Sequence, residues 1–422
     1  MTCGRSSARC FWQTTGAACR CERVWERNVR PTKIVEPEKK YDFWLRGGHV
    51  IDPARNLDDE MDVLISGCRI VPVPENGHID PADVKELIDC SGCYVFPGLI
   101  DHHVHFSWNT SGITPDLFCL PNGVTAACDA GSIGTNAFEN FVRFRILPAI
   151  TTLQASVNVT TGGMAGAGYM ENIDPALYDE RAMTYLFDQY RPYLYGFKLR
   201  IGKDISEGMG LKPLEESVKL ARKFHTRLSL HATCPLEPVP EIVNCLGRGD
   251  VLCHTFQAKG PYSILDENGS IYPEVWSARE RGVLFDSAQG RIHCSFRVAR
   301  AAVEQGFLPD VISTDLTTFS VYQERLFSLP VTMARFLALG MSLYDVVRCC
   351  TATPAELMGM EEKIGTLRPG AMADVAIMKL ETRKFEFQDS YGNHLPAAQL
   401  LLPQMTIKAG RCCWRNTAFA AF

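Results

Sequence analysis

Two histidines one residue apart, His103 and His105, close the apolar run Val95-Phe96-Pro97-Gly98-Leu99-Ile100-Asp101-His102. In an extended strand, residues two apart face the same way, about 7 Å apart along the backbone, so both imidazoles can reach one ion. Taken alone, the pair fits two hydrogen-bonded core histidines equally well. Three later residues shift that balance. His231 in Ser229-Leu230-His231-Ala232, His254 in Leu252-Cys253-His254-Thr255, and Asp315 each terminate an apolar strand of their own. In a β/α barrel the carboxyl ends of the strands meet at one mouth, so four histidines and a carboxylate can gather there around divalent cations.

Lys198, in Tyr195-Gly196-Phe197-Lys198-Leu199-Arg200, stands at another strand end between two apolar residues. Burial penalises an ammonium and favours the amine. A neutral amine can add carbon dioxide, and the two oxygens of the carbamate can bridge two cations; the alternative is pairing with a substrate acid or reaching solvent. Arg200 lies two residues on, on the same strand face. Its planar fork suits a substrate carboxylate, and a structural salt bridge suits it equally.

The elements that must position these groups are legible from pattern. The middle of the chain alternates short apolar strands with amphipathic helices, the signature of stacked βα units. Strands are predicted to end near His105, Ala130, Asn158, Lys198, His231, His254, Asp286 and Asp315, which makes a (β/α)₈ TIM-like barrel the expected α/β fold. Leu214, Val218, Ala221 and Phe224 recur at helical spacing behind Pro213, and a second helix is expected from about Cys294 to Gln305, stopping at Gly306. Both ends carry β-like runs instead. Asp42-Phe43-Trp44-Leu45 and Asp62-Val63-Leu64-Ile65 are punctuated by Gly47-Gly48; Ala373 to Met378 and Met405 to Lys408 flank Pro369-Gly370 and Ala409-Gly410.

These runs predict one small β-sandwich built from both termini, in parts 41–96 and 357–422 around a barrel at 97–356. Residues 1–40 differ in texture, with Cys3, Cys10, Cys19 and Cys21 and no acid before Glu22. They are expected to be a poorly ordered extension, an incidental leader rather than an organelle-targeting segment.

Composition narrows the partners. The 422 residues carry 43 Lys and Arg against 48 acids, a net charge of −5, so no global field draws nucleic acid or an anionic membrane. With 46% hydrophobic residues the chain can bury a sizeable core. No apolar run approaches the roughly 20 residues that span a bilayer. A small-molecule substrate and a cytoplasmic location are expected. The 17 cysteines, an odd number spread through apparent core segments such as Ala127-Cys128-Asp129, read as reduced thiols.

Pro97-Gly98-Leu99-Ile100-Asp101 running into His103 and His105, the strand-end Lys, His, His and Asp, and the late Gly365-Thr366-Leu367-Arg368-Pro369-Gly370-Ala371-Met372-Ala373-Asp374 together resemble the amidohydrolase superfamily over about residues 41 to 415. Gly123 to Ser132 and Gly306 to Leu316 look like its deacetylase-type branch, related to dihydroorotases and D-aminoacylases. The resemblance implies His103 and His105 on a first metal, His231 and His254 on a second, carboxylated Lys198 bridging them, and Asp315 touching the first. Zinc is the implied ion. A bound metal lowers its water's pKa from 15.7 to about 7, and a second metal roughly 3.5 to 4 Å away polarises the scissile carbonyl. Asp315 is then the implied catalytic residue, shuttling a proton from nucleophile to leaving group.

The activity so implied is hydrolysis of an amide or acetyl ester of a small molecule; a dihydroorotase-like cyclic amidase is the alternative, and a non-catalytic barrel scaffold a third. Related barrels often pair through helices, which leaves room for a homo-oligomer. Two departures from the branch bear on substrate: where it often has a histidine two residues after the catalytic aspartate and another in the loop after the seventh strand, this chain has Thr317 and Gln289. Gly162 to Glu171 is glycine-rich enough for a flap over the mouth. His102 alternates to the outer face, Asp101 sits deeper than the histidines, and His49, His78, His225, His293 and His394 read as ordinary histidines.

Overall fold

Apolar runs without alternation build the middle of the chain, because their strands are covered on both faces. In the computed structural model, which describes residues 39–108, 111–164, 171–322 and 328–419, seven strands form one parallel sheet. They are β6 (Leu99–Val104), β7 (Val124–Asp129), β8 (Thr152–Asn158), β9 (Leu194–Ile201), β10 (Leu228–Ala232), β11 (Val251–Cys253) and β12 (Leu284–Phe285). Each lies beside its predecessor in order, β6 at one edge and β12 at the other. Every residue of β6 and β7 is buried, which is why those segments read as continuous apolar runs. The helices between strands bury one face each: Lys212–Lys223 turns in Leu214, Leu220 and Ala221, and Phe296–Glu304 turns in Val298, Ala299 and Ala302.

The eighth strand expected to end at Asp315 is reduced to two isolated parallel bridges, Asp286 with Val311 and Val104 with Leu316. The segment nevertheless reaches both edges of the sheet, since Ser287 N donates to Val311 O and Asp315 N donates to His103 O at 2.7 Å. It therefore closes the circle. A physical reason for the missing strand is the backbone of Asp315, whose φ of +52° leaves the extended region.

The two ends of the chain hydrogen-bond into one mixed eight-stranded sheet. It contains β1 (Tyr41–Asp52), β2 (Leu57–Ser66), β3 (Arg69–Val71), β4 (Val84–Asp89), β5 (Tyr94–Pro97), β13 (Val375–Gln388), β14 (His394–Lys408) and β15 (Arg411–Arg415). The order β15-β14-β13-β5-β1-β2-β3 joins N- and C-terminal strands at the β5 and β13 pair, with β4 also on β1. Leu45, Val50, Ile65, Val95, Ile377 and Ile407 meet in its interior. A bulge between Leu45 and Gly48 lets β1 pair first with β4 and then with β5. Glycine is required there: Gly47 has φ +66°, and a Cβ on Gly48 would stand 2.6 Å from Val95 Cγ2.

The 1–40 extension, up to Glu38, and the centre of the Gly162 to Glu171 segment, 165–170, lie outside the described residues. Among the described residues no helix is long and apolar enough to cross a membrane, and the cysteines are free thiols.

Candidate metal centre

The carboxyl ends of β6 and β9 to β11 and the loops after β12 and before Leu316 surround a cavity of about 170 Å³. His103, His105, Lys198, His231 and Asp315 line it, and the His254 ring lies 4.3 Å from that of His231 and 5.1 Å from that of His103. Five of the six residues singled out in the sequence thus line one cavity, and the buried His254 packs against two of them.

How the imidazoles point follows from what holds their Nδ1 atoms. Ser132 Oγ donates to Asp129 Oδ2 at 2.9 Å, so its lone pairs accept from His105 Nδ1 at 2.8 Å. The carbonyl of Ala288 can only accept, so His254 Nδ1 donates to it at 2.7 Å. Asp286 Oδ2 accepts from His103 Nδ1 at 3.1 Å. Each Nδ1 is placed to carry a ring proton, and each Nε2 is turned toward the cavity, where a neutral ring presents its lone pair.

Those lone pairs meet other electron pairs. His105 Nε2 lies 3.0 Å and His103 Nε2 3.8 Å from Asp315 Oδ1. His254 Nε2 is buried with no hydrogen-bond partner. Two acceptors facing each other across 3 Å repel unless a proton or a metal ion lies between them, and ligand atoms on a tetrahedral ion with bonds of ~2.0 Å stand about 3.3 Å apart. Burial also pushes His103, His231 and His254 well below the usual imidazole range, with the nearby Lys198 adding to the shift, so they are in the neutral form that ligates. The donor set fits a divalent cation of borderline softness. His103, His105 and Asp315 form one group whose ligand atoms all lie within 4.8 Å, and His254, His293 and Asp315 form a second.

His293, read from sequence as an ordinary histidine, belongs to this site. It sits in the loop after β12, its Nδ1 3.0 Å from Thr233 Oγ1 and its Nε2 3.6 Å from Asp315 Oδ2. Burial pushes it down to about 4. That loop therefore does present a histidine to the mouth. Gln289, assigned that place in the sequence, is instead fully buried with its Oε1 accepting from Arg335. Asp286 was also missed as a partner. It is buried, pushed up to about 7 by desolvation, and holds His103 while accepting from Ser313 Oγ and Ala288 N. Its place at the end of an apolar strand was the available signal.

Lys198 Nζ lies 3.5 Å from His103 Nε2 and 3.6 Å from the buried Cys253 Sγ. The space for its stem exists because residue 131 is glycine, where a Cβ would come within 2.3 Å of Lys198 Cβ. Arg200 lines the cavity while its Nη1 donates to Glu171 Oε2 at 2.7 Å; Glu171 Oε1 takes Asn158 Nδ2 at 2.8 Å. Asp101 stays below the cavity, accepting from Thr314 N and Oγ1. His102 packs edge-on against Tyr195, with burial pushing it to about 3. Thr317 lines the cavity. His254 and Asp315 both have positive φ, +59° and +52°, a conformation that costs a non-glycine residue roughly 1–2 kcal/mol and recurs at working sites.

A closed parallel barrel with neutral imidazoles and a carboxylate at the carboxyl ends of its strands defines a metal-dependent hydrolase of the α/β barrel class. Comparison with known proteins specifies it. Residues 208–412 match the amidohydrolase family model, a span holding His231, His254, His293 and Asp315. A deacetylase of Agrobacterium fabrum is 28% identical over 354 residues, covering 82% of this chain and 85% of that protein. A dihydroorotase of Syntrophotalea carbinolica is 49% identical over 390 residues, covering 80% and 89%. The crystal structure of an adenine deaminase superposes with a TM-score of 0.79 at 26% identity, over 89% of this chain and 100% of the other. The chain belongs to the amidohydrolase superfamily, hydrolases of carbon–nitrogen bonds.

Proposed function

We propose that the protein is a deacetylase, hydrolysing an amide or acetyl ester of a small molecule at a zinc pair in the mouth of the 97–356 barrel. The observation that carries this reading is the carboxylate of Asp315 set 3.0 Å from His105 Nε2 beside the buried, unpartnered Nε2 of His254. His103, His105 and Asp315 would hold one ion and His231 and His254 the other, and Lys198, once N6-carboxylated, would supply the ligand they share. When bound, the pair supplies an acidified water and a polarised scissile carbonyl.

The chain's own groups do the rest. Asp315 takes the proton of the attacking water and delivers it to the leaving nitrogen or oxygen, since an amide nitrogen leaves only once protonated. Asp286, Ser132 and the Ala288 carbonyl keep His103, His105 and His254 in the tautomer that presents Nε2. Arg200, steadied by Glu171, orients a substrate carboxylate at the rim. Ile292 and Phe319 on the cavity wall exclude bulk water.

A cyclic amidase acting as dihydroorotases do is the second reading, favoured by the 49% identity to the Syntrophotalea carbinolica protein. The two are separated by incubating zinc-loaded protein with N-acetyl amino acids, acetylated 2-hydroxy acids and dihydroorotate, with metal per chain measured in parallel. Acetate release without ring opening is the expected outcome, and ring opening without acetate release transfers the assignment to the second reading. A cytoplasmic location is proposed with it, to be tested by cell fractionation, and sedimentation of the purified chain decides between a monomer and a homo-oligomer.

A further inference from the structure

The loop that carries His293 is gripped from outside the barrel. It leaves the sheet at Gln289 and ends at Ser295, where the helix Phe296–Glu304 begins. Against it lies the turn between β13 and β14, the far tip of the sheet made by the chain's two ends. The Tyr391 hydroxyl donates to Ile292 O at 2.6 Å and accepts from Ala258 N at 3.2 Å. One phenol oxygen therefore ties the carbonyl just before His293 to the segment that follows His254. On the other side of His293, Asp389 Oδ2 accepts from Phe296 N at 2.7 Å. Asp389 is itself braced: its Oδ1 accepts from Tyr391 N and Asn393 N, and its Oδ2 from Asn393 Nδ2.

The geometry has a specific mechanical effect. A peptide unit is planar, so fixing the Ile292 carbonyl fixes the amide of His293 and leaves its φ and ψ as the remaining backbone freedom. The Asp389 contact at Phe296 limits the other end of the same short stretch. Within the barrel, the His293 ring meets Thr233 Oγ1 on its Nδ1 side and packs against the rings of His254 at 4.1 Å and His231 at 5.3 Å, so the backbone beneath it sets how the ring enters that cluster. That backbone decides whether Nε2 faces Asp315 Oδ2 at 3.6 Å.

We infer that Tyr391, supported by Asp389, is a positioning residue for His293, so that the terminal sheet sets the placement of one imidazole in the barrel mouth. This rests on the hydrolase reading of the site, in which His293 faces the proposed catalytic Asp315 across 3.6 Å. Tyr391→Phe removes only the hydroxyl and keeps the ring, and Asp389→Asn weakens the second grip.

The test uses the full chain, metal-free and with ¹³C,¹⁵N-labelled histidine, the His293 ring resonance being identified by its disappearance in His293→Gln. Tyr391→Phe is expected to shift or broaden the His293 resonance while that of His105, anchored separately by Ser132, stays in place; Asp389→Asn moves it in the same direction. In turnover, Tyr391→Phe is expected to lower kcat roughly tenfold, the scale of a modest misplacement of a working group, and to cost nothing further in a His293→Gln background. An unmoved His293 resonance, or one that moves together with that of His105, overturns the inference; so does an equal loss in both backgrounds. Should no substrate turn over and Asp315→Asn change nothing, the hydrolase reading fails, and the ring resonances still decide the positioning role.

Discussion

His293 Nε2 lies 3.6 Å from Asp315 Oδ2, while the other oxygen of that carboxylate lies 3.0 Å from His105 Nε2. His105 follows β6 and His293 follows β12, the two edges of the parallel sheet, so Asp315 stands where the barrel closes. A carboxylate shared in this way is suited to moving a proton between groups on the two strands that flank the closure.

Replacing Asp315 with Asn keeps the side chain's shape and removes the proton acceptor. Turnover is expected to fall by about 10²-fold or more, the usual scale for loss of a general acid–base, with the fold unchanged. Steady-state kinetics and circular dichroism on the same preparation check this; retained turnover rejects the role.

Asp286→Asn addresses orientation. An amide NH₂ facing His103 donates to Nδ1 and drives the ring proton to Nε2, the atom that must accept a cation. Metal affinity is expected to drop by about 10- to 100-fold, as when comparable supporting hydrogen bonds to ligands are lost. Competition against a chelator of known affinity measures it.

Gly290→Ala places a Cβ 2.5 Å from Asp315 Oδ2 and 2.6 Å from His293 Cδ2, at a backbone φ of +50°. The substitution is expected to destabilise the protein by about 1 kcal/mol or more and to disturb the carboxylate it crowds. Urea unfolding reports the first effect and kcat the second, and an active variant of unchanged stability contradicts both.

Lys198 provides a test by metal content. Its amine and carbon dioxide combine to a carbamate with release of one proton, whereas the guanidinium of Lys198→Arg remains charged and does not. Reconstitution of the wild-type chain with zinc is expected to quicken with bicarbonate and to show a ¹³C carbamate signal. Lys198→Arg is expected to show neither and to hold less zinc per chain.

Much of this site was legible because strands impose a two-residue period. His103 and His105 share a face for that reason, and Lys198, His231 and His254 end apolar runs that became β9, β10 and the turn after β11. His293 was not legible, because it lies in a turn in which its own amide bonds back to Gln289 O, and a turn has no repeat from which a direction can be read. Gln289 misled for the same reason: without a repeat to fix the register of that loop, the place where the branch often has a histidine was matched to Gln289, which is buried against Arg335. The eighth strand was expected from Val311-Ile312-Ser313-Thr314, but the positive φ of Asp315 trades ladder hydrogen bonds for the placement of a carboxylate. The terminal strands and their union into one unit were read from the β-like texture the two ends share, while the register of that union, set by the pairing of β5 with β13, is a long-range contact that leaves no local mark.

That pairing sets an order of events during synthesis. Val95 emerges from the ribosome long before Ile377, the residue it pairs with, and chains lengthen at about 5–20 residues per second. For that interval β5 presents a bare hydrogen-bonding edge, which invites wrong neighbours until the tail arrives. A chain cut short before β13 loses both the cover for that edge and the tip that steadies the His293 loop, so nonsense or frameshift changes near the carboxyl end are expected to silence the enzyme even though every proposed metal ligand has already been made.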